Sequence, residues 1–129
     1  MLLRLLMWNS NQEFNVEHIA LANWADVFVV APATANIIAK MAHGLADDLL
    51  STTLLAAQAP IIVCPAMNTG MYENALTQEN ITCLKEHGVT VMAPAIGFLA
   101  CGTSGAGRLP ELVRSWNLSK LSLPEVVAI

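Results

Sequence analysis

Charged side chains are scarce in this chain, because Asp, Glu, Lys and Arg together make up 12% of its 129 residues. Ten acidic residues against six basic ones give a formal net charge of −4. The six Lys and Arg residues form no cluster or stripe along the sequence, and such a stripe is the usual footprint of a nucleic-acid-binding protein. The charge pattern therefore argues against DNA or RNA as a partner.

Long hydrophobic runs are also missing. Asn, Asp, Lys or Pro interrupts each apolar stretch well before it reaches the roughly 20 residues that a transmembrane helix requires. Residues 1–8 are apolar apart from one Arg. They are too short for a secretory leader and lack a small-residue cleavage site. We therefore expect neither a membrane span nor a leader peptide.

Cysteine is limited to Cys64, Cys83 and Cys101. An odd number of cysteines at unrelated spacings fits neither a disulfide framework nor a zinc site. We therefore expect a reducing, cytoplasmic compartment and no metal centre. Cys64 lies in a predicted strand and Cys83 on a predicted helix, and both are most simply small core side chains.

Apolar residues are abundant instead, at 55% of the sequence. A chain of this length and composition is expected to fold as one compact domain over residues 1–129. The apolar fraction is larger than one small domain needs for its own core, which favours contacts between subunits.

Three β-branched runs predict strands at 26–31, 60–64 and 89–93. The first run shows no polar alternation, as is typical of a parallel strand that is covered on both faces. Pro32 is expected to end the first strand. Helical segments separate the three runs, so the sequence predicts an α/β fold with a three-layer, doubly wound parallel sheet of the Rossmann-like type. Three strands are half of such a sheet, so we expect it to be incomplete at the N-terminus. The strand at Val27 would then be an open edge unless another segment or chain pairs with it.

Capping residues mark the predicted helices. Thr34 is expected to cap a first helix, and Gly44 to end it. A second helix is predicted over 47–58, with two acidic residues in its first turn. Thr77 is expected to cap a third helix, which Gly88 ends.

Residues 94–108 are rich in glycine and show neither a helical nor a strand period. Long loops in compact domains are usually functional, so we expect this segment to be a mobile lid that closes over a ligand and carries Cys101. Arg108, at the end of the segment, can pair with a phosphate or carboxylate. A solvated loop arginine is the alternative for this residue.

Two polar residues are candidates for chemistry. Asn68 follows a Pro-Ala-Met turn after a predicted strand, which is where open α/β sheets bind ligands. Its amide can grip a carboxylate, although an Asn in a turn often satisfies only its own backbone. His18 can exchange a proton near neutral pH, although its position also suits a half-exposed structural histidine. His43 and His87 lie near predicted helix C-termini and are interpreted as structural.

Four segments together resemble the flavin-containing cysteine decarboxylases. Residues 65–72 (PAMNTGMY) are similar to that family's PxMNxxMW signature, with Tyr72 in place of Trp. Three further segments agree in the right order: 18–26 (HIALANWAD), 31–36 (APATAN), and LACG with GAGR within 99–108. The resemblance extends from about Glu17 to about Glu111. Any one segment would be a weak signal, whereas the set is specific.

The resemblance implies FMN as the cofactor and assigns residue roles by position. His18 matches the family's catalytic base, and Cys101 matches the thiol that supplies a proton. Asn68 matches the residue that binds the departing carboxylate. The other implied contacts are Phe98, Ala100 and Arg108 for substrate, and Thr34, Ala35, Asn36, Ile37 and Ala66 for FMN.

The implied reaction is decarboxylation of 4′-phosphopantothenoylcysteine to 4′-phosphopantetheine in coenzyme A biosynthesis. Direct loss of carbon dioxide would leave an unstabilised carbanion. The family avoids this by oxidising the cysteinyl group to a thioaldehyde, whose C=S bond accepts the electron pair. Such enzymes are homotrimers that hold FMN and substrate between subunits, so the resemblance implies a homo-oligomer.

Two other functions remain open. Peptidyl-cysteine decarboxylases of the lantibiotic type share the PxMNxxM pattern, but they usually lack a flap cysteine such as Cys101. A non-catalytic regulatory relative is the other alternative. The Gly/Ser-rich turn that holds the FMN phosphate in the family has no counterpart ahead of Val27, which favours this alternative.

Overall fold

The computed structural model of the chain describes residues 4–5, 14–98, 104–108 and 126–128, with side chains described from 18 to 94. The described strands are β1 (Arg4–Leu5), β2 (Val27–Ala33), β3 (Ile61–Pro65), β4 (Thr90–Val91), β5 (Ala95–Phe98), β6 (Ser104–Arg108) and β7 (Val126–Ala128). The described helices are α1 (Phe14–Trp24), α2 (Ala35–His43), α3 (Leu49–Ala56), α4 (Thr69–Glu73) and α5 (Ala75–Glu86). None of these helices is long and apolar enough to cross a bilayer.

The larger sheet has the strand order β1-β7-β2-β3-β4, and every pair of neighbours in it is parallel. In the central pair, Val30 lies opposite Val63. Helices α2 and α3 connect β2 to β3, and α4 and α5 connect β3 to β4. The predicted α/β fold with three parallel strands is therefore confirmed.

The edge of the sheet at Val27 is paired with another strand. Strand β7 pairs with β2, with Val126 opposite Val27, and Arg4–Leu5 pairs with β7 on its other side. Strand β7, from far along the chain, therefore covers the edge that would otherwise be open at Val27. The first strand also continues past Pro32 to Ala33 instead of ending at the proline.

One apolar cluster joins this sheet to three helices. Phe28 and Val30 of β2 and Val63 of β3 belong to it, together with residues of α2, α3 and α5 such as Ile38 and Leu84. Burial of each large apolar side chain contributes roughly 1.5–3 kcal/mol. Residues Val27 and Val29 point to the opposite face of β2 and are also buried. Strand β2 is thus covered on both faces, as predicted for a parallel strand.

Helix α2 begins and ends as predicted. The Thr34 hydroxyl accepts a hydrogen bond from the Ile37 N–H at 3.3 Å. Gly44 ends the helix with φ = 67°, and its N–H donates to the Lys40 carbonyl. A glycine suits this position because other L-residues are strained at positive φ.

Helix α3 is shorter than predicted, because Asp48 caps it and lies outside its first turn. The Asp48 carboxylate accepts from the Ser51 N–H at 2.7 Å, and the Ser51 hydroxyl accepts from the Asp48 N–H. Lys40 reaches across from α2 and contacts Asp47 at 2.7 Å and Asp48 at 2.8 Å. This ion pair joins the end of α2 to the beginning of α3.

Helix α5 begins before the predicted cap. Asn74 caps it by accepting from the Leu76 N–H at 2.9 Å, and Thr77 is a buried residue within the helix. The prediction that Thr77 caps this helix is therefore wrong. Gly88 follows the helix with φ = 85°, so the predicted end is confirmed.

Residues 94–108 were predicted to show no strand, but they contain two strands. Strands β5 and β6 pair antiparallel, with Phe98 opposite Ser104 and Gly97 opposite Gly105. This two-stranded sheet is called the hairpin below. Its connecting residues 99–103, including Ala100 and Cys101, lie outside the described residues, so the predicted mobility of the lid remains a prediction.

Candidate functional site

The predicted ligand-binding residues follow the carboxyl ends of β2 and β3. Because the two strands are neighbours and parallel, these ends lie at the same edge of the sheet. The Ala66 N–H donates to the Ala33 carbonyl at 3.0 Å, which ties the two loops together directly after the strands. The predicted FMN contacts in 34–37 and at Ala66 are therefore adjacent in the structure.

The beginning of α2 presents small and polar side chains at this edge. Thr34 and Asn36 are exposed, and Ala35 is half-buried. Ile37 differs from its neighbours because its side chain is 7% exposed and belongs to the core cluster. Its N–H is engaged by Thr34. The side chains available to a ligand here are those of Thr34, Ala35 and Asn36.

Asn68 lies at the corresponding position after β3 and caps α4. Its Oδ1 atom accepts from the Gly70 N–H at 2.8 Å, and its carbonyl accepts from the Tyr72 N–H at 2.9 Å. The cap assigns the amide orientation, since only the oxygen can accept that N–H. The end of the amide able to donate to a carboxylate is therefore Nδ2. The side chain is exposed, so a ligand can approach it.

The hairpin lies beside this residue. Helix α4, which begins directly after Asn68, packs against β6. Phe98 is the last residue of β5, and Arg108 is the last residue of β6. The fold therefore brings Asn68 close to the hairpin whose connection contains Cys101. The substrate site at these residues stays a prediction.

His18 is placed differently. It lies in the first half of α1, is half-exposed, and is followed by Ile19, which is 50% exposed. The principal contacts of α1 are with α3. Asn68 belongs to the α4 region, so these principal contacts do not join His18 to it.

The two methionines of the signature have different surroundings. Met67 is partly buried against the core cluster, as is Tyr72, the residue that replaces Trp. Met71 is 49% exposed, and Leu76 on the neighbouring helix is 69% exposed. Met67 thus has a core role, whereas Met71 on α4 and Leu76 on α5 are exposed apolar side chains.

The sequence did not predict α4 or the role of Thr69. The Thr69 Oγ1 atom is buried and has no hydrogen-bond partner. The sequence signal was the triplet 68–70 (NTG), because Asn is a favoured helix cap. Gln78 was also missed; it donates to the Tyr72 carbonyl at 2.6 Å and thereby joins α5 to the end of α4.

A cavity of about 300 Å³ lies elsewhere, between α2, α3 and α5. Its lining includes Ile61 and Val89, at the amino ends of β3 and β4, together with Leu45, Leu55 and Cys83. It contains none of the predicted site residues. Polar groups at the opposite edge therefore define the candidate site better than this cavity does.

The remaining cysteines and histidines have structural surroundings. Cys64 is fully buried, and burial raises the pKa of its thiol, which disfavours the reactive thiolate. His43 ends α2 and contacts Asn80 through Nε2 at 3.0 Å, and His87 follows α5. Among the residues with described side chains, no group of three His, Cys, Asp or Glu residues could hold a metal ion.

Comparison with known proteins gives a consistent family assignment. The family model described as Flavoprotein matches residues 3–116. The coenzyme A biosynthesis bifunctional protein CoaBC of Bacillus subtilis (strain 168) is 52% identical over 96 residues, which are 74% of this chain and 24% of that protein. The chain thus spans about a quarter of the length of the curated relatives it matches.

Solved structures agree with the sequence comparison. A PPC decarboxylase mutant complexed with pantothenoylaminoethenethiol has a TM-score of 0.74 and 40% identity, covering 83% of this chain and 59% of that one. The FMN-dependent cysteine decarboxylase SpaF has a TM-score of 0.63 and 40% identity, covering 76% of this chain and 55% of that one.

Proposed function

The chain belongs to the flavin-containing cysteine decarboxylases of the Flavoprotein family, and on that premise we propose that it decarboxylates 4′-phosphopantothenoylcysteine to 4′-phosphopantetheine with FMN, a step of coenzyme A biosynthesis. The observation that carries this proposal is the placement of Asn68. Its amide is oriented by the α4 cap at the carboxyl edge of the sheet, beside the hairpin that bears Cys101.

The residues at this edge suit one side of a flavin ring. Ala35 and Ala66 are small, and Thr34 and Asn36 supply exposed polar groups next to them. The hydrogen bond between Ala66 and Ala33 keeps the two loops close without a bulky side chain between them. Polar groups of this kind can pair with the carbonyl and N–H groups of an isoalloxazine. When bound there, FMN would supply the two-electron oxidation and the later reduction of the cysteinyl group.

The chain's own residues would bind the substrate and move protons. Nδ2 of Asn68 would donate to the substrate carboxylate and hold it until carbon dioxide leaves. His18 would accept the proton released as the cysteinyl group is oxidised, since imidazole is available as a base near neutral pH. Cys101 would return a proton to carbon in the last step. Phe98, Ala100 and Arg108 would complete the substrate contacts.

We further propose that copies of the chain associate, as a homotrimer, to complete the site. The principal contacts of α1 do not join His18 to Asn68, so His18 would approach the site from a neighbouring copy. The exposed apolar side chains of Met71 on α4 and Leu76 on α5 support an interface on these helices. A reducing, cytoplasmic compartment would keep the Cys101 thiol reduced.

Similarity to the solved peptidyl-cysteine decarboxylase EpiD, with a TM-score of 0.58 and 37% identity, supports a second candidate, decarboxylation of a peptide that ends in cysteine. The two substrates differ in the group attached to the cysteinyl nitrogen, which is a phosphopantothenoyl arm in one and a peptide in the other. The Ala-Cys-Gly sequence at 100–102 favours the first, since the family's peptide decarboxylases usually lack this flap cysteine.

The test is release of carbon dioxide from each substrate with FMN added in excess. We expect release from 4′-phosphopantothenoylcysteine, and little from a peptide with a C-terminal cysteine. Preference for the peptide would favour the second candidate. Absence of release from both would favour a non-catalytic relative. An Asn68→Asp variant is the control, because it keeps a helix-capping side chain but repels a carboxylate.

A further inference from the structure

Thr69 carries the one buried side-chain nitrogen or oxygen atom without a hydrogen-bond partner among the residues whose side chains the structure describes. Buried polar groups are normally paired, and leaving one unpaired costs about 1–3 kcal/mol. Such an atom next to a candidate binding residue calls for a partner from outside the chain.

Two buried or partly buried threonines of α3 show how Thr69 differs. Thr52 donates to the Asp48 carbonyl at 2.6 Å, and Thr53 donates to the Leu49 carbonyl at 2.7 Å. Each uses a carbonyl four residues earlier, which lies one helical turn below the hydroxyl. Thr69 is the first residue of α4 and has no preceding helical turn to supply this carbonyl.

The location of Thr69 relates it to the proposed substrate. It follows Asn68 directly, and α4 packs against β6 of the hairpin. A hydroxyl can donate one hydrogen bond to an anion, as the Asn68 amide can. Resting on the proposed function, we propose that the Thr69 hydroxyl is a positioning group that donates to the substrate carboxylate together with Asn68. The position is variable in the PxMNxxMW pattern, so the signature itself does not assign this role.

The proposal predicts opposite effects on stability and binding. Thr69→Val removes the hydroxyl while keeping the shape of the side chain. Without ligand, the variant should have an unchanged or higher melting midpoint, because an unpaired buried hydroxyl is lost. Thr53→Val is the matched control, since it removes a paired buried hydroxyl and should lower the midpoint. A purely structural role for Thr69 would make the two variants behave alike.

Binding is measured with two probes at saturating FMN. The serine analogue of 4′-phosphopantothenoylcysteine keeps the carboxylate but has no thiol to react, and 4′-phosphopantetheine has no carboxylate. Thr69→Val should weaken binding of the serine analogue by about tenfold or more, as expected for one hydrogen bond to a charged group. Binding of 4′-phosphopantetheine should not change, and Thr69→Ser should resemble the wild type with both probes.

Three results would overturn the proposal. Equal weakening of both probes would show that Thr69 acts on the site as a whole, and no weakening would show that it does not contact the carboxylate. A Thr69→Ser variant as impaired as Thr69→Val would show that the hydroxyl is not responsible. Failure of the wild-type chain to bind either probe would contradict the proposed function itself. The three results above contradict only the role of Thr69, so the two kinds of failure are distinguishable.

Discussion

Asn68 and Gly70 are joined by a hydrogen bond of 2.8 Å from the Gly70 N–H to the Asn68 Oδ1 atom. This bond fixes the amide at the end of β3, so the residue that is proposed to bind substrate also begins a helix. A Cβ atom at position 70 would lie 3.2 Å from Oδ1. The geometry of the cap and the geometry of the site are therefore coupled.

This coupling predicts different outcomes for two substitutions of Asn68. Asn68→Ala should remove the cap and lower the free energy of unfolding by about 1 kcal/mol. Asn68→Asp should keep the cap and the stability, because Asp is an equally good capping residue. Both should lose substrate binding, since Ala offers no donor and Asp repels the carboxylate. Thermal unfolding and binding of the serine analogue, measured on both variants, separate the two roles. Tight binding by Asn68→Asp would contradict the assignment.

The proton donor is tested with Cys101→Ser, and Cys83→Ser on α5 is the matched control. Under anaerobic single-turnover conditions, Cys101→Ser should release carbon dioxide but stop at the oxidised, decarboxylated product with the flavin reduced. A serine hydroxyl is a much weaker acid than a thiol, so the final protonation should fail. The control should complete turnover. Formation of 4′-phosphopantetheine by Cys101→Ser would show that the thiol is not the donor.

The ion pair between Lys40 and Asp48 makes the free energy of unfolding depend on pH in the acid range. Burial alone would raise the pKa of the Asp48 carboxyl. Hydrogen bonds from Lys40 and Ser51 lower this pKa by more than burial raises it, so the pKa lies below its ordinary value. A carboxylate with a lowered folded-state pKa stabilises the fold above its unfolded pKa of about 3.9, and this stabilisation is lost as the pH falls through the folded-state pKa. We therefore expect the free energy of unfolding to decrease below about pH 4.

Two variants identify the group responsible. Asp48→Asn keeps a capping side chain without a charge, so its stability should depend less on pH in this range. Lys40→Met should raise the folded-state pKa of Asp48 towards its unfolded value, so the acid-induced loss of stability should be smaller than in the wild type. Denaturant unfolding at several pH values measures both effects. The same pH profile for the wild type and Asp48→Asn would contradict this account.

Gly44 provides a test of the backbone. It ends α2 with φ = 67°, and a Cβ atom there would have no neighbour within 4 Å. Gly44→Ala should therefore lower the free energy of unfolding by about 1 kcal/mol through backbone strain alone. Gly44→Asn should lose less, because Asn tolerates the left-handed region. If the two variants were equally stable in denaturant unfolding, strain would not be the cause.

Local sequence signals predicted the part of the fold that local chemistry controls. Helix α2 begins after Thr34 and ends before Gly44, as predicted. A side-chain cap and a positive φ depend only on residues close together in the sequence. The pairing of Val126 with Val27 was not predicted, because it depends on residues 99 positions apart in the chain. Strand β6 (SGAGR) was missed because glycine and alanine carry no strand signal, so its pairing with β5 alone defines it.

The candidate site divides in the same way. A recognisable octapeptide located Asn68, and parallel neighbouring strands placed it beside the end of β2. The capping role of Asn68 and the unpaired hydroxyl of Thr69 depend on α4, a helix of five residues that has too few positions to show a period. The sequence alone therefore did not reveal them.

FMN affinity tests how much of the cofactor site these residues provide. The described elements ahead of β2 are β1 and α1, and neither contains a Gly/Ser-rich turn that could hold a phosphate. Each missing charge-assisted bond weakens binding by roughly 1.5–3 kcal/mol, so losing two or three amounts to about 3–9 kcal/mol. We therefore expect this chain alone to bind FMN weakly. Flavin fluorescence quenching on titration measures the affinity, and submicromolar binding would show that this expectation is wrong.

The most direct test of the proposed function is carbon dioxide released from 4′-phosphopantothenoylcysteine at an FMN concentration high enough to offset weak binding. The account predicts release that requires FMN and that is lost in Asn68→Asp and in a variant of the proposed base, His18→Asn. Thr53→Val, altered outside the site, should release carbon dioxide at a temperature where it remains folded. No release by the folded wild-type chain at saturating FMN, or release that is unchanged in Asn68→Asp, would contradict the account.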